Sequence, residues 1–301
     1  MKQGRFGPVV TAMITPLHAD GRVNESETAR LANWLGEHGS SALVVAGTTG
    51  EGPTLDDAEK LSLFRTVVSA VGGKLSVIAN AGSNDTKRSV EFAKKAAACG
   101  VDALMAVGPY YNKPPQRGLV AHFTAIADAT ELGVMIYNIP GRTGVNILPD
   151  TIATLAAHPK IVAVKESSGD VNQLAQVAAR APSGFDVYSG DDYLALPSVA
   201  LGACGVVSVV SHVAGLEIAA MLEAFRAGDD DKATALHRSL MPLFAALFAV
   251  TSPIPVKAAM RALGFAAGEC RLPLVALTAE EERVLRAAIA PWLRAGVVAS
   301  A

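Results

Sequence analysis

The most restrictive feature of this sequence is an eightfold alternation of short apolar runs with segments of helix length. The runs begin near residues 9, 42, 75, 103, 134, 161, 186 and 205. Such runs are typical of strands that are buried on both faces, and their strict alternation with helices implies parallel strands with right-handed crossovers. Eight units in roughly 215 residues fit a closed (β/α)₈ TIM barrel better than an open doubly wound sheet.

After the eighth run the pattern is helical and contains no further convincing strand. It is punctuated by Pro253-Ile254-Pro255 and ends in an amphipathic segment from about Ala279 to Leu293. We therefore predict a barrel over 1–215 that carries the active site. Residues 216–301 are predicted to form the last barrel helix and a C-terminal helical extension. The absence of G-x-G-x-x-G after the first run disfavours a dinucleotide-binding fold.

Composition limits the possible partners and the compartment. Half of the 301 residues are hydrophobic, and the formal net charge is only −2. Charge therefore gives no reason to expect nucleic acid or an anionic membrane as a partner. Three widely spaced cysteines indicate no disulfide framework, and the sequence shows neither a signal peptide nor an apolar run of membrane-spanning length. These features predict a soluble, cytoplasmic protein.

Two reactive side chains stand where neighbouring apolar runs end. The fifth run ends at Tyr137 and the sixth at Lys165, so both belong at the barrel rim that carries active sites. A lysine at the edge of an apolar layer loses hydration, which disfavours its charged form and frees an amine for Schiff-base formation. Taken alone, however, such a lysine is more often one whose ammonium group extends to water.

Further candidate site residues follow the fifth run and other runs at the same predicted rim. They are Thr48, Thr49, Tyr110, Tyr111, Arg142, Gly190 and Asp191. Singly, each residue type is common in loops and turns. Together they favour imine chemistry on a 2-oxo acid, with a tyrosine moving protons through hydroxyl relays and a Gly-rich turn binding a carboxylate. The histidines lack metal-ligand spacing and no G-x-S-x-G is present, so neither a metal site nor a serine hydrolase is predicted.

Several motifs closely resemble those of the dihydrodipicolinate synthase family. They are G-T-T-G-E at 47–51, Y-N-I-P-G-R-T-G at 137–144 and V-K-E at 164–166, together with P-Y-Y-N-K-P at 109–114, S-G-D-D at 189–192 and P-I-P-V-K at 253–257. The likeness covers nearly the whole chain and is specific for pyruvate-dependent class I aldolases. The arginine-containing motif points to the synthases within that superfamily.

The resemblance implies condensation of pyruvate with L-aspartate 4-semialdehyde to 4-hydroxy-tetrahydrodipicolinate, in diaminopimelate and lysine biosynthesis. It implies no cofactor, because Lys165 itself forms the imine with pyruvate while Tyr137 donates and accepts protons. Thr48 is expected to link Tyr137 to a Tyr111 that reaches in from a neighbouring subunit. The family is usually a homotetramer built from two tight dimers, so a shared tyrosine would make the dimer the smallest active unit.

Substrate-binding and regulatory positions follow from the same resemblance. Thr49 is expected to hold the pyruvate carboxylate and Arg142 the carboxylate of the semialdehyde, with Gly190 and the Val207 carbonyl lining the pocket. Lysine-sensitive members bind lysine at the dimer interface through histidine and glutamate. The matching positions here are Asp57, Lys60, Asn84, Arg88 and Tyr110. Arg88 places a cation where the lysine ammonium needs an acid, so we predict weak or absent inhibition.

A second departure and two alternatives complete the predictions. Ser252 stands where the family often has asparagine, which affects the geometry of the extension but not the imine chemistry. One alternative is another pyruvate-imine aldolase, acting on N-acetylneuraminate or a 2-keto-3-deoxy sugar acid. Such an enzyme needs a hydroxyl-rich pocket, so Arg142 discriminates against it. The other alternative is a catalytically silent scaffold, which has no evident need for a lysine and a tyrosine at adjacent strand ends.

Overall fold

Eight parallel strands form a closed barrel in sequence order in this computed structural model, which describes residues 4–294. The strands are β1 (Val9–Ala12), β2 (Ala42–Val45), β3 (Ser76–Asn80), β4 (Ala103–Val107), β5 (Gly133–Asn138), β6 (Ile161–Glu166), β7 (Asp186–Ser189) and β8 (Gly205–Ser208). The barrel is closed because β1 pairs with β8 as well as with β2. The predicted (β/α)₈ fold is therefore confirmed.

Helices follow the strands and continue into a C-terminal extension. They are α1 (Glu25–Glu37), α2 (Asp57–Val71), α3 (Thr86–Ala97), α4 (Gln116–Asp128), α5 (Pro140–Thr143), α6 (Pro149–Ala156), α7 (Val171–Arg180), α8 (Ala195–Ala200), α9 (Ser211–Arg226), α10 (Asp230–Leu247), α11 (Ile254–Ala262) and α12 (Ala279–Arg294). The sequence predicts helix caps at Asn24 and Asp56. Both side-chain caps are present, and Asp56 forms a reciprocal capping box with Glu59. The division of the chain at 215/216 stays a prediction, and it falls within α9.

Two apolar strands end earlier than their apolar runs. The apolar, β-branched run from Val9 to Thr15 predicts a first strand of that length, but β1 ends at Ala12. Beyond it, Met13 still donates to the Val44 carbonyl, whereas the Ile14 N–H is bonded by a histidine side chain. Hydrophobicity therefore continues past the point where the backbone leaves the ladder, and β8 likewise ends before the apolar run does.

The barrel interior is filled at the end where the strands begin. Tyr188 is fully buried inside the barrel, and its hydroxyl accepts a hydrogen bond of 3.1 Å from the Phe6 N–H. A Cβ at Gly4 would lie only 2.3 Å from the same hydroxyl. Burial raises the pKa of Tyr188 far above its ordinary value, so this phenol stays neutral. The opposite rim is consequently the accessible one.

The extension packs against the last barrel helix. The Trp292 indole N–H in α12 donates to Glu217 in α9 over 3.0 Å. Across the described range, 4–294, none of the helices combines the length and apolarity needed to cross a bilayer.

Candidate active site

Lys165 and Tyr137 lie side by side at the rim where the strands end. They are register partners between β5 and β6. The lysine Nζ lies 4.2 Å from the centre of the tyrosine ring, over its face. The two residues are only 5% and 3% exposed. The amine and the phenol are therefore close enough to act on the same small molecule, in a setting from which most water is excluded.

A buried polar cluster fixes the strand ends behind this pair. The Glu166 carboxylate accepts hydrogen bonds from the Asn138 amide at 3.0 Å, the Ser168 N–H at 2.7 Å and the Gln173 amide at 3.3 Å. Because successive residues in a strand face opposite sides, Asn138 and Glu166 point away from the barrel interior that Tyr137 and Lys165 face. The cluster ties β5 to β6 and thereby fixes the phenol relative to the amine.

The G-T-T-G-E turn folds tightly against the rim after β2. The Glu51 N–H donates to the Thr48 carbonyl at 3.1 Å, and the Gly52 N–H donates to the Gly47 carbonyl at 2.9 Å. A Cβ at Gly52 would lie 2.2 Å from the Ala46 carbonyl oxygen, so a side chain cannot be accommodated there. Within this turn Thr49 is buried and Thr48 is partly exposed.

Two cavities open at the rim, and Arg142 lines both. The first, about 380 Å³, is also lined by Thr48 and Tyr137. The second, about 610 Å³, lies among Gly190, Asp191, Tyr193 and residues 248–252. Arg142 is held between them because its Nη2 donates to the Ser252 carbonyl at 3.1 Å. The structure thus gathers the predicted residues Thr48, Tyr137 and Arg142 around one space, with a second space beyond the guanidinium.

Gly190 keeps room beside the lysine. A Cβ built on it would lie 2.9 Å from the Lys165 Cε and 1.8 Å from the Ser167 Oγ. This hydroxyl is buried and lacks a hydrogen-bond partner among residues 4–294. Sequence reasoning missed Ser167, although it lies only two positions after the lysine.

Some predicted residues are not assembled within one chain. Tyr111 is 89% exposed and has a left-handed backbone with φ +72°. In the described part of the chain, no hydrogen bond joins the Thr48 hydroxyl to Tyr137 or Tyr111. Val207 lies fully buried on β8, as the register partner of Val10. The hydroxyl relay therefore needs a second copy of the chain if it forms as predicted.

Four residues of the predicted effector set also line the first cavity, beside Thr48, Tyr137 and Arg142. They are Asp57, Lys60, Arg88 and Tyr110. Arg88 is paired with Asp57 across 3.4 Å at the surface. Burial lowers the pKa of Lys60, an effect that Asp57 opposes and Arg88 reinforces. Asn84 instead bonds Asn112. This part of the cavity therefore carries two cationic side chains and one carboxylate.

Two buried titratable groups hold the loops after β7 and β8. The Asp192 carboxylate accepts from the Val209 N–H at 2.9 Å and from the Ser208 hydroxyl, and burial raises its pKa to about 6. His212 accepts from the Ile14 N–H at 3.1 Å and donates through Nδ1 to the Val209 carbonyl. Burial lowers the pKa of His212 to about 4, so the ring is neutral at pH 7.

Curated relatives match the chain over most of its length. The 4-hydroxy-tetrahydrodipicolinate synthase of Cyanothece sp. is 52% identical over 282 residues, which are 93% of this chain and 96% of that protein. The protein of the same name from Moorella thermoacetica is 52% identical over 95% of this chain and 98% of its own.

Solved structures agree with the fold and the family. Dihydrodipicolinate synthase DapA-2 from Bacillus anthracis superposes with a TM-score of 0.94 at 46% identity, covering 96% of this chain and 99% of that one. DHDPS from Cyanidioschyzon merolae with lysine bound has a TM-score of 0.94 at 49% identity, covering 96% and 98%. The model of the dihydrodipicolinate synthetase family matches residues 5–291. The chain belongs to the dihydrodipicolinate synthetase family, as its motifs predict.

Proposed function

We propose that this chain condenses pyruvate with L-aspartate 4-semialdehyde to 4-hydroxy-tetrahydrodipicolinate, the product in the name of its curated relatives. The observation that carries the proposal is the Lys165 Nζ, held 4.2 Å from the Tyr137 ring centre at the open rim. In this proposal Lys165, Tyr137, Thr48 and a partner's Tyr111 are catalytic. Thr49, Arg142, Gly190 and Val207 bind the substrates.

The first half of the reaction joins pyruvate to the chain. The free amine of Lys165 attacks the keto carbon, and the carbinolamine loses water to give an imine while Tyr137 supplies the proton to the departing hydroxyl. Loss of a proton from the methyl group then gives an enamine, with Tyr137 as the acceptor. The Thr49 hydroxyl and the backbone N–H groups of its turn are suited to bind the pyruvate carboxylate.

The second half uses the space around Arg142. A guanidinium fork binds a carboxylate with two parallel hydrogen bonds, which directs the semialdehyde toward the enamine. The enamine carbon attacks the aldehyde to form the new C–C bond and a hydroxyl group. The amino group of the semialdehyde then adds to the imine carbon and displaces the lysine amine, which closes the ring and frees Lys165.

No external cofactor is needed in this scheme, because the imine on Lys165 activates pyruvate. We further propose a cytoplasmic homotetramer in which each dimer shares Tyr111 between its sites. The exposure of that side chain supports sharing. A solved structure at 39% identity is described as the first monomeric dihydrodipicolinate synthase variant, so the assembly of this chain needs direct measurement by analytical ultracentrifugation.

Borohydride trapping tests the imine. We expect the protein treated with pyruvate and borohydride to gain the mass of one reduced adduct per chain, located on Lys165 by peptide mapping. Lys165→Arg should give no adduct. Lys160→Arg is a matched control, because Lys160 precedes the start of β6 and its Nζ bonds the Thr130 carbonyl.

The second substrate separates the proposal from its rival. Turnover in a coupled assay with L-aspartate 4-semialdehyde supports the synthase. An adduct without that turnover, together with cleavage of N-acetylneuraminate or a 2-keto-3-deoxy sugar acid, would assign the chain to another pyruvate-imine aldolase. Absence of any adduct would overturn both assignments.

A further inference from the structure

A fully buried ion pair joins the G-T-T-G-E turn to the helical extension. The Lys257 Nζ, in α11, lies 2.7 Å from a carboxylate oxygen of Glu51, and the two side chains are 0% and 1% exposed. The residues are 206 positions apart in the chain. Because an unpaired charge in such surroundings is strongly unfavourable, each side chain constrains the position of the other.

Both partners have further bonds that extend the connection. The second carboxylate oxygen of Glu51 accepts from the Arg271 N–H at 2.8 Å. The Lys257 Nζ also donates to the Glu269 carbonyl at 2.9 Å. The Arg271 guanidinium donates to the Thr54 carbonyl at 2.6 Å and pairs with a glutamate of α2. The turn is thereby tied to α11 and to the segment that follows it.

The turn is sensitive to the placement of Glu51. This residue has a left-handed backbone with φ +55°, and its N–H closes the turn by donating to the Thr48 carbonyl. Its carboxylate is thus anchored only two positions after Thr49 and three after Thr48. A shift of the anchored side chain would be passed directly to the hydroxyls and N–H groups of the turn.

The same stretch of the extension reaches the other substrate-binding element. Ser252, just before α11, accepts the hydrogen bond from Arg142, and Lys257 lies in the second turn of that helix. Residues 252–257 therefore contact both the turn proposed for the keto acid and the arginine proposed for the semialdehyde.

We infer that Glu51 and Lys257 are a positioning pair, whose buried contact holds the turn at Thr48 and Thr49 in the conformation that binds the pyruvate carboxylate. The inference rests on the proposed function and deepens it. Both side chains are fully buried and neither lines a cavity at the rim, so the pair acts through the turn. Loss of the pair should weaken pyruvate binding more than it slows the later chemistry.

The test compares Lys257→Met with Arg261→Met. Arg261 lies on the same helix and pairs with Glu269 at 3.0 Å, but it does not contact the turn, so it is the matched control. We expect Lys257→Met to raise the pyruvate concentration for half-maximal borohydride trapping about tenfold or more, with kcat at saturating pyruvate changed less than about threefold. Hydrogen exchange of the amides at 47–52 should accelerate. Arg261→Met should change neither the pyruvate concentration for half-maximal trapping nor the exchange of these amides.

A double variant keeps the test decisive if the single variant is poorly folded. Glu51→Gln combined with Lys257→Met removes both buried charges, which is often tolerated when removal of one is not. We expect the double variant to recover its melting temperature while its pyruvate half-saturation and its exchange at 47–52 stay elevated. Recovery of all three to native values would show that the pair only stabilises the fold and would overturn the inference.

The exchange measurement separates this inference from the proposed function. Unchanged exchange at 47–52 in Lys257→Met contradicts the positioning role, whether or not pyruvate binds. A native protein that forms no pyruvate adduct contradicts the proposed function instead.

Discussion

Arg142 illustrates how a single exposed side chain acquires a defined position at this rim. The residue is carried on the four-residue helix α5, and its guanidinium is held by the Ser252 carbonyl between two cavities. One bond to a backbone carbonyl leaves further N–H donors of the fork free for a carboxylate. The motif around Arg142 was enough to predict that its guanidinium binds a carboxylate. The hydrogen bond to Ser252 was not predictable, because Ser252 is 110 positions away in the chain.

Replacing Arg142 tests this arrangement. We expect Arg142→Ala to lower kcat/KM for L-aspartate 4-semialdehyde by about 10- to 100-fold, since a hydrogen bond to a charged group contributes roughly 1.5–3 kcal/mol. Pyruvate trapping by borohydride should be unaffected. Arg117→Ala, an exposed arginine of α4, serves as the control. Unchanged turnover of the semialdehyde would contradict the role of Arg142.

His212 predicts a component of acid sensitivity. Because burial lowers its pKa from the ordinary 6.5 to about 4, the folded protein binds fewer protons than the unfolded chain between these values. His212 therefore does not reduce the free energy of unfolding above pH 6.5, but it reduces this free energy increasingly as the pH falls toward 4. Asp192 works in the opposite direction, because its raised pKa of about 6 makes stability fall as the pH rises from about 3.8 through 6.

We therefore expect His212→Gln to show a smaller decrease in melting temperature between pH 6.5 and pH 4 than the native protein. Glutamine can replace both hydrogen bonds without acquiring a charge. The exposed His18→Gln is the control and should retain the native pH profile. Parallel profiles for the native protein and His212→Gln would exclude this histidine as the source of the acid sensitivity.

For single residues, the sequence predicted the positions of Lys165 and Tyr137 better than the contacts of the residues that support them. Lys165 and Tyr137 are recognisable because each ends an apolar run, and strand alternation places them at one rim. Glu166, Asp192 and His212 gain their roles only from burial and from partners distant in the chain, such as the Ile14 N–H for His212. No local pattern specifies those contacts.

Among the elements, the strands were predicted best because each has a distinct apolar run. Helix starts at Asn24 and Asp56 were also predictable, since a side-chain cap is a local signal. The short helix α5 has no such local signal, because it begins at Pro140, contains Gly141 and spans only four residues. The point where β1 leaves the ladder depends on its neighbours and was missed.

The loop after β7 offers a test at the level of elements. Gly190→Ala introduces a Cβ that collides with Ser167 and crowds Lys165. We expect the rate of pyruvate adduct formation to fall about tenfold or more, because the lysine side chain must move from its place beside Tyr137. Gly141→Ala is the matched control, since a Cβ there meets nothing within 4 Å. Equal trapping rates in the two variants would contradict the steric argument.

For the whole molecule, the exposed Tyr111 requires a partner if it is catalytic. We expect Tyr111→Phe and Lys165→Arg proteins to be nearly inactive separately. After subunit exchange, a mixed dimer contains one site with both Lys165 and Tyr111, so activity should reappear in the coupled assay. Mixtures of Lys165→Arg with itself, taken through the same exchange, are the control. No recovery in the mixed sample would place Tyr111 outside the neighbouring site.

The predicted weak or absent inhibition by lysine is also tested on the whole molecule. The two cations Lys60 and Arg88 share the first cavity with Asp57, and like charges repel the lysine ammonium group. We expect no half-inhibition at sub-millimolar lysine, and stronger inhibition in Arg88→Glu than in the native protein. The relative from Cyanidioschyzon merolae was solved with lysine bound, so it is a positive control for the binding of lysine. Sub-millimolar half-inhibition of the native protein would refute the prediction.

Tyr188 and Phe6 fill the barrel at the end where the strands begin, and this affects the order in which the two substrates bind. Because that end of the barrel is filled, we expect substrates and products to enter and leave at the rim where the strands end. The Lys165 side chain is buried below this rim, whereas the Arg142 side chain is exposed at it. Because Arg142 and Tyr137 line the same cavity, we expect a molecule bound to Arg142 to hinder access to the Lys165 amine. The keto acid should therefore bind first, and an early excess of the semialdehyde should delay it.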